Sequence, residues 1–196
     1  MKTNNKILIA KIIFKTLIFF GFKKKIIIKR NTIKWNIDIS EGIDLSIFLF
    51  GAFQQELVKS ILRYIFDNNK PKNTFFNIID VGANVGDKSL SLSRDLLKKN
   101  FFNFKIFTIE PTDYAFKKQI NNINLNPILK KKIFPSKYFI SNNKSKPKKV
   151  YSSWSLEKKR NTHQVHQGVL KRVNKFTKNI TLDNFIKKNK IKDQII

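Results

Sequence analysis

The segment Asp80-Val81-Gly82-Ala83-Asn84-Val85-Gly86-Asp87 carries the most chemically specific spacing in the chain. Glycine where a strand turns into a helix lets the backbone come close to a ligand, and the helix that follows aims its free N–H groups and positive dipole end at that point. Position 84 holds Asn instead of glycine, at little cost, because Asn tolerates left-handed backbone angles. The spacing is not the G-x-G-x-x-G of dinucleotide sites. Asp80 narrows the ligand further: an acid beside the turn repels a pyrophosphate and suits a cationic amine. A second acid, Glu110, stands 28 residues after Gly82 and just before Pro111. At a strand tip such an acid can accept hydrogen bonds from both hydroxyls of a ribose. S-adenosylmethionine offers an amine and a ribose with no phosphate, so Asp80, Gly82, Asn84, Gly86 and Glu110 form the candidate cofactor set.

These residues need a strand before the turn and a second strand beneath Glu110. Phe75 to Val81 is a continuous apolar run, Asp87 to Leu97 reads as a helix, Lys105 to Ile109 as a strand, Asp113 to Asn124 as a helix and Ile133 to Ile140 as a third strand. Apolar runs without alternation indicate strands covered on both faces, and their alternation with helices indicates a parallel sheet. The expected fold class is therefore α/β.

Upstream, Ile33, Trp35, Ile37 and Ile39 alternate with polar residues as a half-buried strand does, with Ile26 to Lys29 as its antiparallel partner and Arg30 to Thr32 at the turn. Leu57, Ile61, Ile65 and Phe66 have helical spacing, and Pro71 ends that helix near Asp67 to Lys70. Met1 to Phe22 is basic and apolar, but Lys11 and Lys15 interrupt it, which argues against a spanning helix, and no small-x-small cleavage site follows. Two readings stay open: an amphipathic helix docked on the domain, or one lying on a membrane surface. The expected location is cytoplasmic, at the inner membrane face in the second case. The chain divides into residues 1–70, a lead-in of helix, hairpin and helix, and residues 71–196, the cofactor domain.

Ile79 to Asp87, Ile109-Glu110-Pro111 with Phe116 and Asn121 to Asn126 behind it, Ser152-Ser153, and Ile180-Thr181-Leu182-Asp183-Asn184-Phe185 together resemble the FkbM family of S-adenosylmethionine-dependent methyltransferases. Trp35 to Ile39 followed by Ile47 to Gly51 resembles the strand and helix that such proteins place before the cofactor domain. The resemblance runs from about Trp35 to the last residue. It implies a Rossmann-like class I methyltransferase sheet, with Asp80, Gly82, Asn84 and Gly86 around the methionine end of the cofactor and Glu110 on the ribose. It also implies methyl transfer to a hydroxyl of a saccharide or secondary metabolite.

The chain departs from the family at two places. Gln54, with Glu56 two residues on, stands where the family often has an acid, and the chain stops at Gln194-Ile195-Ile196, where the next strand would begin. The expectation is thus the first three parallel strands of the sheet, with the strand of Phe76, Ile78, Ile79 and Val81 left unpaired on one edge. A missing C-terminal half would then have to supply one wall of the crevice before the chain could turn over. No general base is nominated. A truncated non-catalytic remnant or a basic binding module is the alternative reading.

Other candidates carry less. His163 and His166 could share a helix face, but nothing nearby adds a third ligand, so no metal site is expected. Tyr151 to Trp154 either borders the acceptor pocket, by the resemblance, or is a packed loop. The lysine runs 23–25, 130–132 and 187–190 read as solvated faces. The absence of cysteine removes disulfides and thiolate chemistry. A formal charge of +27 suggests a polyanion partner, yet Lys, Ile, Asn and Phe fill 105 of the 196 positions and Arg only 5. Those four types have A/T-rich codons, and phosphate readers lean on Arg. Hence no specific nucleic-acid partner is expected. Gel-shift titration should show only weak binding of DNA or RNA that disappears at physiological salt; sequence-dependent binding that survives it would contradict this reading.

Overall fold

The structure is a computed structural model and describes residues 3–67, 74–142, 149–151, 155–157, 170–173, 175, 177–192 and 194–196. In chain order the elements are α1 (Thr3–Phe19), β1 (Lys25–Arg30), β2 (Ile33–Asp38), α2 (Gly42–Phe50), α3 (Gln55–Ile65), β3 (Phe76–Val81), α4 (Asp87–Lys98), β4 (Phe104–Ile109), α5 (Asp113–Asn124), α6 (Pro127–Lys130), β5 (Ile133–Ser136) and β6 (Tyr138–Ile140). They continue with β7 (Lys149–Tyr151), β8 (Leu170–Arg172), β9 (Lys178–Ile180), α7 (Leu182–Lys188) and β10 (Gln194–Ile195). Two compact units result: residues 1–53 with 149–171, and residues 54–148 with 172–196. The sequence boundary at 70/71 therefore falls inside the second unit, which includes α3.

In the first unit β1 and β2 form an antiparallel hairpin in which Arg30 faces Ile33. The alternation read from the sequence puts Ile33, Trp35 and Ile37 inside. Asp38 turns the chain toward α2: its Oδ1 accepts from Ser40 N–H at 3.1 Å and Ser40 Oγ at 2.6 Å, while its own N–H donates to Asp44 Oδ2 at 2.6 Å. Gly51 closes α2 in the left-handed region at φ 79°, and a Cβ there would lie 2.5 Å from Asn31 Nδ2. The return of the chain near residue 155 was not foreseen: Ser155 bridges Glu41, Leu156 N–H donates to Ser40 O at 2.7 Å, and Glu157 pairs with Lys24.

In the second unit β10, β3, β4 and β5 form one sheet in that order, with every neighbouring pair parallel. Even-numbered residues of β3 and β4 face one side, where Phe76 meets Tyr64 of α3 with ring centroids 6.4 Å apart. Odd-numbered residues of β3 and β4 face the other side, where Ile79, Phe107 and Ile109 pack with Phe185 of α7. Helices on both faces explain why these strands read as unbroken apolar runs. The α/β class and the three expected parallel strands are present.

The structure corrects three expectations. The third strand does not run from Ile133 to Ile140: β5 pairs with β4, whereas β6 leaves the sheet to pair with β9. Pro135 lacks a ladder donor and sits on the outermost strand, the position where that loss is tolerated. Helix α6 was not expected; Asn126 precedes it and Pro127 opens it, where a missing N–H costs nothing. Finally, the outer edge of β3 is not wholly unpaired. Gln194 and Ile195 lie beside Phe76 and Asn77, Ile196 N–H donates to Asn77 O at 3.0 Å, and Ile79 N–H donates to Ile196 O at 2.9 Å.

Phe185 is fully buried, with its ring centroid 6.4 Å from Phe107 and 6.0 Å from Tyr138. Phe185→Ala should destabilise this unit by about 3–5 kcal/mol through the cavity it leaves. A urea melt followed by circular dichroism checks this, and an unchanged midpoint would mean that α7 does not close that face.

Candidate cofactor site

The parallel register sets Asp80 against Thr108 and Val81 against Ile109, so Gly82 stands level with Glu110 at the tips of β3 and β4. The turn folds back onto β4 at once: Gly82 N–H and Ala83 N–H both donate to Ile109 O, at 2.8 and 3.1 Å. Gly82, Asn84 and Gly86 all have positive φ, at 81°, 49° and 83°. A Cβ on Gly82 would meet nothing within 4 Å, so the turn borders open space there. At Gly86 a Cβ would lie 3.2 Å from Gln119 Cγ. Packing against α5 therefore leaves little room for a side chain at Gly86.

The carboxylate of Glu110 is buried and bound on both oxygens. Its Oε2 accepts from Asn84 N–H at 3.0 Å, and its Oε1 accepts from Thr112 N–H at 2.9 Å and Thr112 Oγ1 at 2.6 Å. Burial raises its pKa, the bonds from Thr112 and Asn84 oppose that rise, and the charge of Asp80 adds to it. Asp80 is half-buried and turns elsewhere, accepting from Ser89 Oγ at 2.5 Å. Burial again raises its pKa, against the Ser89 bond and the charge of Lys88.

All five candidate residues thus gather at one end of the sheet, but the two acids face different surroundings. Asp80, Lys88 and Ser89 line the mouth of an apolar cavity of about 440 Å³ beneath α3, and Glu110 does not reach it. Glu56 is exposed and pairs with Lys59. Ser152 to Trp154, His163 and His166 lie outside the described residues.

Sequence reading missed the partners that orient the acids. Thr112 was legible in principle, as a capping-type residue just before the helix at Asp113. Ser89, Gln119 and Asn122 carry no such signal. Asn122 Nδ2 donates to Val85 O at 3.0 Å and holds the turn from below. Gln119 is wholly buried, with neither amide atom hydrogen-bonded among the described residues.

The second unit is a Rossmann-like α/β domain with an acid at each of two neighbouring strand tips. No family model matches the chain, and no curated protein matches it in sequence. Among solved structures it is similar to PH0793 from Pyrococcus horikoshii, named only provisionally as a transferase, at 19% identity over 65% of this chain and 47% of that one, with a TM-score of 0.39. It is also similar to YjhP from E. coli, at 14% identity over 47% of this chain and 34% of that one, with a TM-score of 0.31. The chain thus spans about half the length of the first and about a third of the second.

Asp87 opens α4 and is 2% exposed; its Oδ2 has no hydrogen bond among the described residues, and Lys88 Nζ stands 3.6 Å away. Burial pushes its pKa up from 3.8 to about 6, with the charge of Lys88 opposing and that of Asp80 adding. A carboxyl group that holds its proton more tightly when folded than when unfolded makes stability fall as the pH rises from about 4 to about 6. The loss is on the order of 2–3 kcal/mol, and it persists above that window. Asp87→Asn should raise the neutral-pH melting temperature and flatten its dependence on pH between 4 and 6. A variant melting below the wild type at pH 7 would show that the ionised carboxylate stabilises α4 instead.

Proposed function

We propose that the second unit binds S-adenosylmethionine at the glycine turn and that the protein is a methyltransferase acting on a hydroxyl of a saccharide or small secondary metabolite. One observation carries this reading: the 3.0 Å bond from Asn84 N–H to Glu110 Oε2, which fixes the second acid against a glycine turn that opens on free space at Gly82. A carboxylate has about four acceptor sites, so Oε2 keeps capacity for ligand hydroxyls after that bond is made. Asp80, next to the turn, supplies the charge that a cationic amine needs, and such an amine would counter the burial that raises its pKa.

When bound, the cofactor supplies a sulfonium leaving group and an electrophilic methyl. The tasks left to the chain are to align the acceptor hydroxyl for in-line attack and to exclude water. The acceptor class rests on the resemblance of the motifs alone.

Glu110→Ala should weaken binding of S-adenosylhomocysteine by about 1.5–3 kcal/mol, because it removes a charged acceptor of ligand hydroxyls. Thr112→Val deletes a bond on the other oxygen and should change affinity far less. Titration calorimetry measures both. Wild-type affinity in a folded Glu110→Ala variant would remove Glu110 from the site, and a wild-type chain that binds no adenosyl ligand would defeat the proposal.

A further inference from the structure

The first 37 residues hold ten basic residues and no acidic one; Asp38 is the first acid in the chain. Within that stretch α1 is apolar on two faces. Its inner face buries Ile7 and Phe14 in the first unit. Leu8, Ile12 and Phe19, at spacings of four and seven residues, fall within one narrow arc on the other face and are 61%, 57% and 84% exposed. Phe20 and Phe22 extend this apolar surface past the helix end, and the exposed Lys23, Lys25 and Lys29 follow it. Lys6 and Lys15 are also exposed, on stems long enough to lift their charge away from an apolar phase.

We infer that the outer face of α1, with the lysines that follow it, attaches this protein to an anionic lipid surface, the helix lying in the plane of the interface. Both halves of the surface need a partner, and the bilayer interface is the one whose chemistry meets both: an apolar layer for Leu8, Ile12 and Phe19, and negative head groups for the lysines. Nucleic acid offers the charge without an aliphatic phase. A protein groove would need its own concentration of acids beside an apolar floor. Among the described residues no single helix is long and apolar enough to cross a membrane, which fits a helix lying along the surface. This inference is independent of the cofactor reading.

The test is vesicle flotation of the full chain. Phosphatidylcholine vesicles containing phosphatidylglycerol should carry the protein at least roughly tenfold better than phosphatidylcholine alone, because each basic residue near an anionic surface contributes about fivefold. K23Q/K25Q/K29Q should lose roughly tenfold or more on the anionic vesicles. L8N/I12N/F19N should lose a similar factor by removing the apolar anchor. Both variants should melt like the wild type by circular dichroism, since these side chains are exposed. Equal flotation on the two vesicle types, or anionic binding unchanged in L8N/I12N/F19N, would overturn the inference. So would a dimer dispersed by L8N/I12N/F19N, which would make a second copy the occupant of that face.

Discussion

Glu110 accepts one bond from the backbone of the glycine turn and two from Thr112, and so joins the ends of β3 and β4 and the start of α5 into one corner. A buried carboxylate is costly unless its oxygens are hydrogen-bonded, and charge-assisted bonds of this kind contribute about 1.5–3 kcal/mol each. The placement of α5 depends on that corner. With α5 in place, Asn122 reaches Val85 O and the Gln119 stem packs under Gly86, so the turn is held from above by an acid and from below by one amide and a packing contact. The left-handed angles at Gly82, Asn84 and Gly86 are the backbone's way of meeting both sets of contacts in five residues.

The parts of this arrangement that could be read from the sequence are those whose signal is local. Helix α5 runs over the residues its pattern marks, and the glycine turn sits at the end of the strand its apolar run marks. The parts that could not be read depend on distant pairing. Nothing in Ile133 to Ile140 says that β6 will prefer β9 to β4, because that choice depends on a strand some forty residues away. Nor does Leu156 advertise that its N–H will find Ser40 O. At the site, the types and positions of the acids were legible, whereas the direction in which each carboxylate turns was not. Asp80 follows Ser89 and Glu110 follows Thr112, and both are ordinary hydroxyl residues in helix-starting positions.

The unusual composition also has a structural outlet. Lys and Phe are both abundant, and in the second unit they meet: Lys105 lies 5.9 Å from the ring centre of Phe75 and 5.8 Å from that of Phe134, Lys132 lies 5.3 Å from Phe104, and Lys99 lies 5.3 Å from Phe66. A cation over a ring face is attracted by the ring quadrupole, and the lysine stem covers apolar surface. These three lysines are thus part of how the domain finishes its surface.

Trp35 is fully buried in the hairpin unit, and the other tryptophan, Trp154, falls within the same unit's span of 149–171. The second unit therefore contains no indole. Emission from the buried Trp35 reports on the first unit, whereas ellipticity follows both. Comparing the two signals on one sample separates the cooperativity of the units without any engineered label.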